Sequence, residues 1–108
     1  MSVKFKPRAL VVGDDGQERH RILSWFPGGW NALDGGPPGA AIEHAAGEAF
    51  GAIVYTAGTD SVDLETLHMA LRMAGFGGLV IDTRPRGALP EGVVRATSPS
   101  GLAALVTT

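Results

Sequence analysis

Asp14 and Asp15 stand together at the end of the apolar run Ala9-Leu10-Val11-Val12-Gly13. Two adjacent carboxylates in such a place have three kinds of chemistry open to them. As hard oxygen donors they can hold Mg²⁺. With a pKa lifted by burial or by its neighbour, either can act as a general base. They can also simply cap the following helix, where exposed amides and the helix dipole favour negative charge. The next comparable run, Ala52-Ile53-Val54-Tyr55, ends in Thr56, so no carboxylate stands there to serve as a nucleophile.

Other reactive side chains fall at similar places. Thr83 follows Leu79-Val80-Ile81-Asp82, and Arg95 follows Val93-Val94. Arg84 and Arg86 flank Pro85; guanidinium groups there can take a phosphate or a carboxylate bidentately, or remain solvated. Ala57-Gly58-Thr59-Asp60 can offer backbone amides to a phosphate, but it lacks the P-loop spacing and its lysine. His20, His44 and His68 lie on three different predicted helices with no thiolate beside them, so no zinc site is expected. Trp25, Phe26 and Trp30 gather around Pro27-Gly28-Gly29; core packing is the first reading, with an exposed tryptophan as a binding anchor the second. Met69 and Met73, one turn apart and off the leucine face of their helix, form a soft partner patch or fill gaps.

Composition narrows the class. A chain of 108 residues with 44% apolar and 19% charged residues is expected to fold as one domain, residues 1–108. The formal charge is −2, and apart from Lys4, Lys6 and Arg8 the basic residues are scattered, which argues against nucleic-acid binding. The absence of cysteine removes disulfides and thiolate chemistry and fits a reducing, cytoplasmic setting. No run approaches the roughly eighteen apolar residues of a membrane span, and no signal peptide is expected.

The elements that must position these side chains alternate. Arg8–Val12 reads as a buried strand and Gln17–Phe26 as a helix ended by Pro27-Gly28-Gly29. A short second strand is expected over Trp30–Leu33, with Asp34-Gly35-Gly36-Pro37-Pro38 as turn. Ile42, Ala45, Ala46, Ala49 and Phe50 then recur at helical spacing. Gly51–Tyr55 is a strand, Asp60 and Asp63 precede a helix running to about Ala74 with Gly75 as its stop, and Leu79–Ile81 is a fourth strand. Pro85 and Pro90 leave no room for a normal helix before the brief strand Val93-Val94. Ser98-Pro99 opens a last short helix. This alternation predicts an α/β fold with an open, mainly parallel five-stranded sheet, ligands being expected outside the carboxyl ends of the strands.

Over roughly residues 8 to 106, this element order resembles the receiver domain of bacterial two-component response regulators. The resemblance implies a flavodoxin-like sheet of order 2-1-3-4-5; in departure from the family, the fourth helix is expected to be shortened or missing, because Pro85 and Pro90 fall where it would run. It sets Asp14 and Asp15 at the Mg²⁺-binding acidic pair, Thr56 at the phosphoacceptor aspartate, Thr83 at the hydroxyl position and Arg95 at the lysine. With Thr56 in place of the acceptor, phosphoaspartate chemistry is expected to be lost and Mg²⁺ binding to be weak or nil. The chain is then expected to be a pseudo-receiver without cofactor or catalytic activity. Its expected partner is a protein: a histidine kinase, a phosphotransferase or a second copy of itself, contacted through Arg84, Arg86, Trp25, Met69 or Met73. A small-ligand or nucleotide-binding domain using the strand-end rim is the alternative. A small enzyme with Asp14 or Asp15 as base ranks last, because no nucleophile stands beside them.

Overall fold

The computed structural model describes residues 7–47 and 49–107. The early lysines Lys4 and Lys6 lie outside the described residues. In chain order the elements are β1 (Arg8–Val12), α1 (Gly16–Leu23), β2 (Asn31–Gly36), α2 (Pro38–Gly47), β3 (Ala52–Tyr55), α3 (Leu64–Met73), β4 (Leu79–Asp82), β5 (Val93–Arg95) and α4 (Pro99–Val106). The strands form one flavodoxin-like sheet of order β2-β1-β3-β4-β5, and every pairing is parallel. Among the described residues no helix lies between β4 and β5, as the two prolines there require.

Because side chains alternate across a strand, the apolar runs supply two cores at once. Leu10, Val12, Ile53, Tyr55 and Val80 face α2 and α3, meeting Ala41, Leu64, Leu67 and Leu71. Ala9, Val11, Ala52, Val54 and Ile81 face α1 and α4, meeting Ile22, Leu102 and Val106. A strand buried on both sides is apolar at every position, which is why these runs are continuous rather than alternating.

Several boundaries differ from the sequence expectation, each for a local reason. Asp34-Gly35-Gly36 is strand, not turn: β2 continues past Leu33 through an irregularity in which Val11 pairs with Asp34 and Val12 with Gly36. Gly35 is the extra residue, and a Cβ on it would lie 2.6 Å from Leu10 Cγ, so glycine serves close strand approach there. Trp30 precedes that strand rather than opening it. Pro38 begins α2 instead of belonging to the turn, a first-turn position where its missing N–H costs nothing. Ala49 and Phe50 fall beyond the end of α2 at Gly47; Phe50 is buried on the approach to β3, with the Arg8 guanidinium 5.0 Å from its ring. Helix α1 stops at Leu23, where Ser24 Oγ donates to the Arg21 carbonyl at 2.7 Å, so Trp25 and Phe26 leave the helix earlier than expected.

Helix α3 closes as its sequence anticipates. Asp63 accepts from the Thr66 amide at 2.7 Å as N-cap. At the other end the Phe76 amide reaches the Leu71 carbonyl at 2.9 Å and the Gly75 amide the Arg72 carbonyl at 3.1 Å. That is a Schellman closure, and it needs a left-handed residue, supplied by Gly75 at φ +95°. Gly75→Ala is therefore expected to destabilise the fold by about 1 kcal/mol. Gly77→Ala, with open space around its Cβ and no left-handed backbone, is expected to be near neutral. Urea midpoints of the two variants check this.

Candidate functional site

Strand β1 lies between β2 and β3, so the chain crosses from one side of it to the other and the crevice opens at the carboxyl ends of β1 and β3. The crevice is filled by the protein itself. Thr56, fully buried at the end of β3, packs against Gly13 so closely that a Cβ there would sit 1.8 Å from Thr56 Oγ1. Thr59 Oγ1 donates to the Thr56 carbonyl at 2.8 Å and lies 3.4 Å from Thr56 Oγ1. Together the two threonines close the floor with hydroxyls bonded to one another and to backbone.

The acidic pair is split. Asp15 is the N-cap of α1, accepting from the Gln17 amide at 2.9 Å. Asp14 turns the other way, towards the loop after β3, and accepts from the amides of Asp60 at 2.7 Å and Ser61 at 2.8 Å and from the Ser61 hydroxyl. It thereby straps the β3–α3 loop to the β1–α1 loop across the crevice. The Ser61 hydroxyl, then the Ser61 and Asp60 amides, hold the Asp14 carboxyl below its usual range. Arg19 braces the other side, donating from Nε to Asp34 at 2.7 Å and from Nη1 to the Gly13 carbonyl at 2.7 Å. Burial pushes the Asp34 carboxyl up, yet the Gly36 amide and Arg19 together bring it below its usual range.

At the ends of β4 and β5 the organising group is Asp82, fully buried. Arg84 Nε donates to both its oxygens, at 3.0 and 3.1 Å, and the Arg84 amide adds a third bond at 3.0 Å. Arg95 Nη2 reaches the same carboxylate at 3.2 Å and the Gly87 carbonyl at 2.6 Å. The Asp82 hydrogen bond raises the Arg84 guanidinium still further above its ordinary value. Arg84 also lies 5.5 Å from the centre of the Tyr55 ring, whose hydroxyl donates to the Val62 carbonyl at 2.6 Å. Arg95 Nε is buried and has no hydrogen-bond partner among the described residues.

The remaining expected residues scatter. Thr83 is buried and its hydroxyl donates to the Tyr55 carbonyl at 3.0 Å, which commits it to the neighbouring strand. Arg86 is exposed in the β4–β5 connection. Trp25 is half-buried beneath Arg21, 5.0 Å from its ring, and Trp30 is half-buried with its indole donating to the Val106 carbonyl at 3.2 Å, so neither indole stands free. Met69 and Met73 lie outward on α3. His20 and His44 are exposed, and His68 accepts from Arg72 Nε at 3.2 Å. Among the described residues no group of three His, Asp or Glu side chains comes together to hold a metal ion.

Sequence reasoning singled out Asp14, Asp15, Thr56, Thr83 and Arg95 and missed Asp82 and Ser61. Asp82 was legible in principle: a carboxylate directly after Leu79-Val80-Ile81, close to two arginines, cannot stay buried unpaired. Ser61 carried no such mark, since its amide and hydroxyl matter only once the loop is folded over Asp14.

Asp82→Asn removes the one negative charge between two arginines and is expected to cost about 3 kcal/mol, read from urea unfolding. The strap has a pH signature. Because the folded-state pKa of Asp14 is depressed, its stabilisation is complete above the unfolded value of about 4 and is lost as pH falls through the lower folded value. Asp14→Asn is expected to flatten the stability curve on that acid limb, measured as thermal midpoint against pH.

Compared with known proteins, the chain matches no family model, no curated protein and no solved structure.

Proposed function

We propose that this chain is a non-catalytic, receiver-like module of signal transduction that acts by binding a protein partner and is not phosphorylated on aspartate. The observation that carries the reading is the self-occupied crevice: Thr56 stands where the resemblance sets the acceptor, and Asp14 is spent on loop amides rather than facing a cation. Arg95, at the position of the lysine, is bonded to Asp82 and to the Gly87 carbonyl. A regulated phosphorylation site needs these groups converging and free; here each is engaged within the fold. What the fold leaves outward is apolar surface on α3, where Met69 and Met73 are 58% and 82% exposed, and flexible thioethers suit a partner-binding patch. The partner class is a histidine kinase, a phosphotransferase or a second copy, and the setting is the cytoplasm. Among the described residues no helix is long and apolar enough to cross a membrane.

A second reading, a small anionic ligand at the rim of β4 and β5, draws on Arg95 Nε, which has no partner among the described residues, and on the exposed Arg86 in the β4–β5 connection. One amide NMR titration separates the two. With Mg²⁺ and then beryllofluoride, a phosphoryl mimic, no saturable shift is expected at Asp14, Asp15 or Thr56; saturable shifts there would sink the module reading. Inorganic phosphate moving Arg84 and Arg95 would favour the second.

A further inference from the structure

We propose that α3 is a homodimerisation surface on which a second copy of this chain lies antiparallel across a twofold axis through Met69. The inference rests on the module reading above and names its partner. Among the described residues the exposed large hydrophobics are Met69, Met73 and Leu89, and the two methionines share one helix. They line a shallow groove of about 290 Å³ with Glu65, Thr66 and Ala70.

The charges beside the methionines choose the occupant. Leu64, Leu67 and Leu71 fix the inner face of α3, and at about 100° per residue Met69 points directly away from them. Glu65 and Arg72 both fall on the same side of Met69, roughly 40° and 60° around the helix. Glu65 comes four residues before Met69 and Arg72 three after it, so their heights from Met69 differ by only about 1.5 Å. An antiparallel twofold carries a residue above the axis to the same height below it and keeps it on the same side. Glu65 then meets Arg72 of the partner subunit, and Arg72 meets Glu65 of the partner subunit. On the other flank Met73 covers Thr66 of the partner subunit, while the small Ala70 lets the helices approach. A parallel pairing puts these charges on opposite sides of the seam and leaves them unmatched.

The Arg72 guanidinium is fixed by its own chain, 5.5 Å from the centre of the Phe76 ring. Its Nη1 donates to the Phe76 and Gly78 carbonyls, both at 2.9 Å, and its Nε to His68, leaving Nη2 without a partner among the described residues. A guanidinium held in place loses little freedom on pairing. One helix face buries less than the roughly 1,600 Å² of a standard interface, so the association belongs to the weak class.

Sedimentation equilibrium of the whole chain up to about 1 mM is the test, a range that reaches weak dimers. Mass rising towards the dimer is expected. Glu65→Arg, which sets like charges against each other twice, is expected to weaken the dimer about tenfold. Because the chain has no cysteine, Met69→Cys gives a single thiol on the axis and is expected to form disulfide-linked dimers under mild oxidation, whereas Ser100→Cys on α4 is not. A chain that stays monomeric, or a dimer indifferent to Glu65→Arg and not linked through Met69→Cys, overturns the proposal. Either failure leaves the module reading to its own test, the strand-end titration.

Discussion

The three central strands are buried on both faces, and nearly everything else about this protein follows from that constraint. Each of β1, β3 and β4 carries side chains that alternate between two cores, so each face must be covered by helices and the connections must cross from one face to the other. That crossing beside β1 creates the crevice. It also buries Thr56, Asp82 and Thr83 at the strand ends, where a polar group lacking a partner carries a substantial desolvation cost.

The strand-end groups, buried or exposed, are held by hydrogen bonds within the fold. Thr56 and Thr59 pair over Gly13, Asp14 takes the amides of the next loop, and Asp82 gathers Arg84 and Arg95. Each solution is local and geometrically distinct, so the rim behaves as three small structural clamps rather than one converging site. A flavodoxin-like architecture hosts many activities and only the site can distinguish them, so the proposed binding role rests on these strand-end clamps and not on the fold.

The β4–β5 connection illustrates how a missing element is compensated. With Pro85 and Pro90 excluding a helix, the segment has few backbone bonds of its own, and Arg95 donates to its Gly87 carbonyl while Arg84 lies against Tyr55. The Asp82 cluster therefore holds the loop as well as neutralising charge. On α3, by contrast, Leu64, Leu67 and Leu71 face the core, which leaves Met69 and Met73 outward.

Much of this architecture was legible before folding. Continuous apolar runs identify doubly buried strands, Asp63 and Gly75 mark the ends of α3, Ser98-Pro99 marks the start of α4, and the prolines erase a helix. These features act through neighbours in the chain, and local spacing therefore determines them. The strand character of Asp34-Gly35-Gly36 did not show, because turn-forming residues were used to bring β2 against Leu10. Helix capping was expected of the acidic pair and Asp15 meets it on Gln17, but the turn of its neighbour Asp14 to Asp60 and Ser61 did not show. Sequence alone determined the order of elements and the residues at the strand ends; only tertiary structure decided which of them touch, because hydrogen-bond partners more than forty residues apart are chosen by how the sheet places its loops.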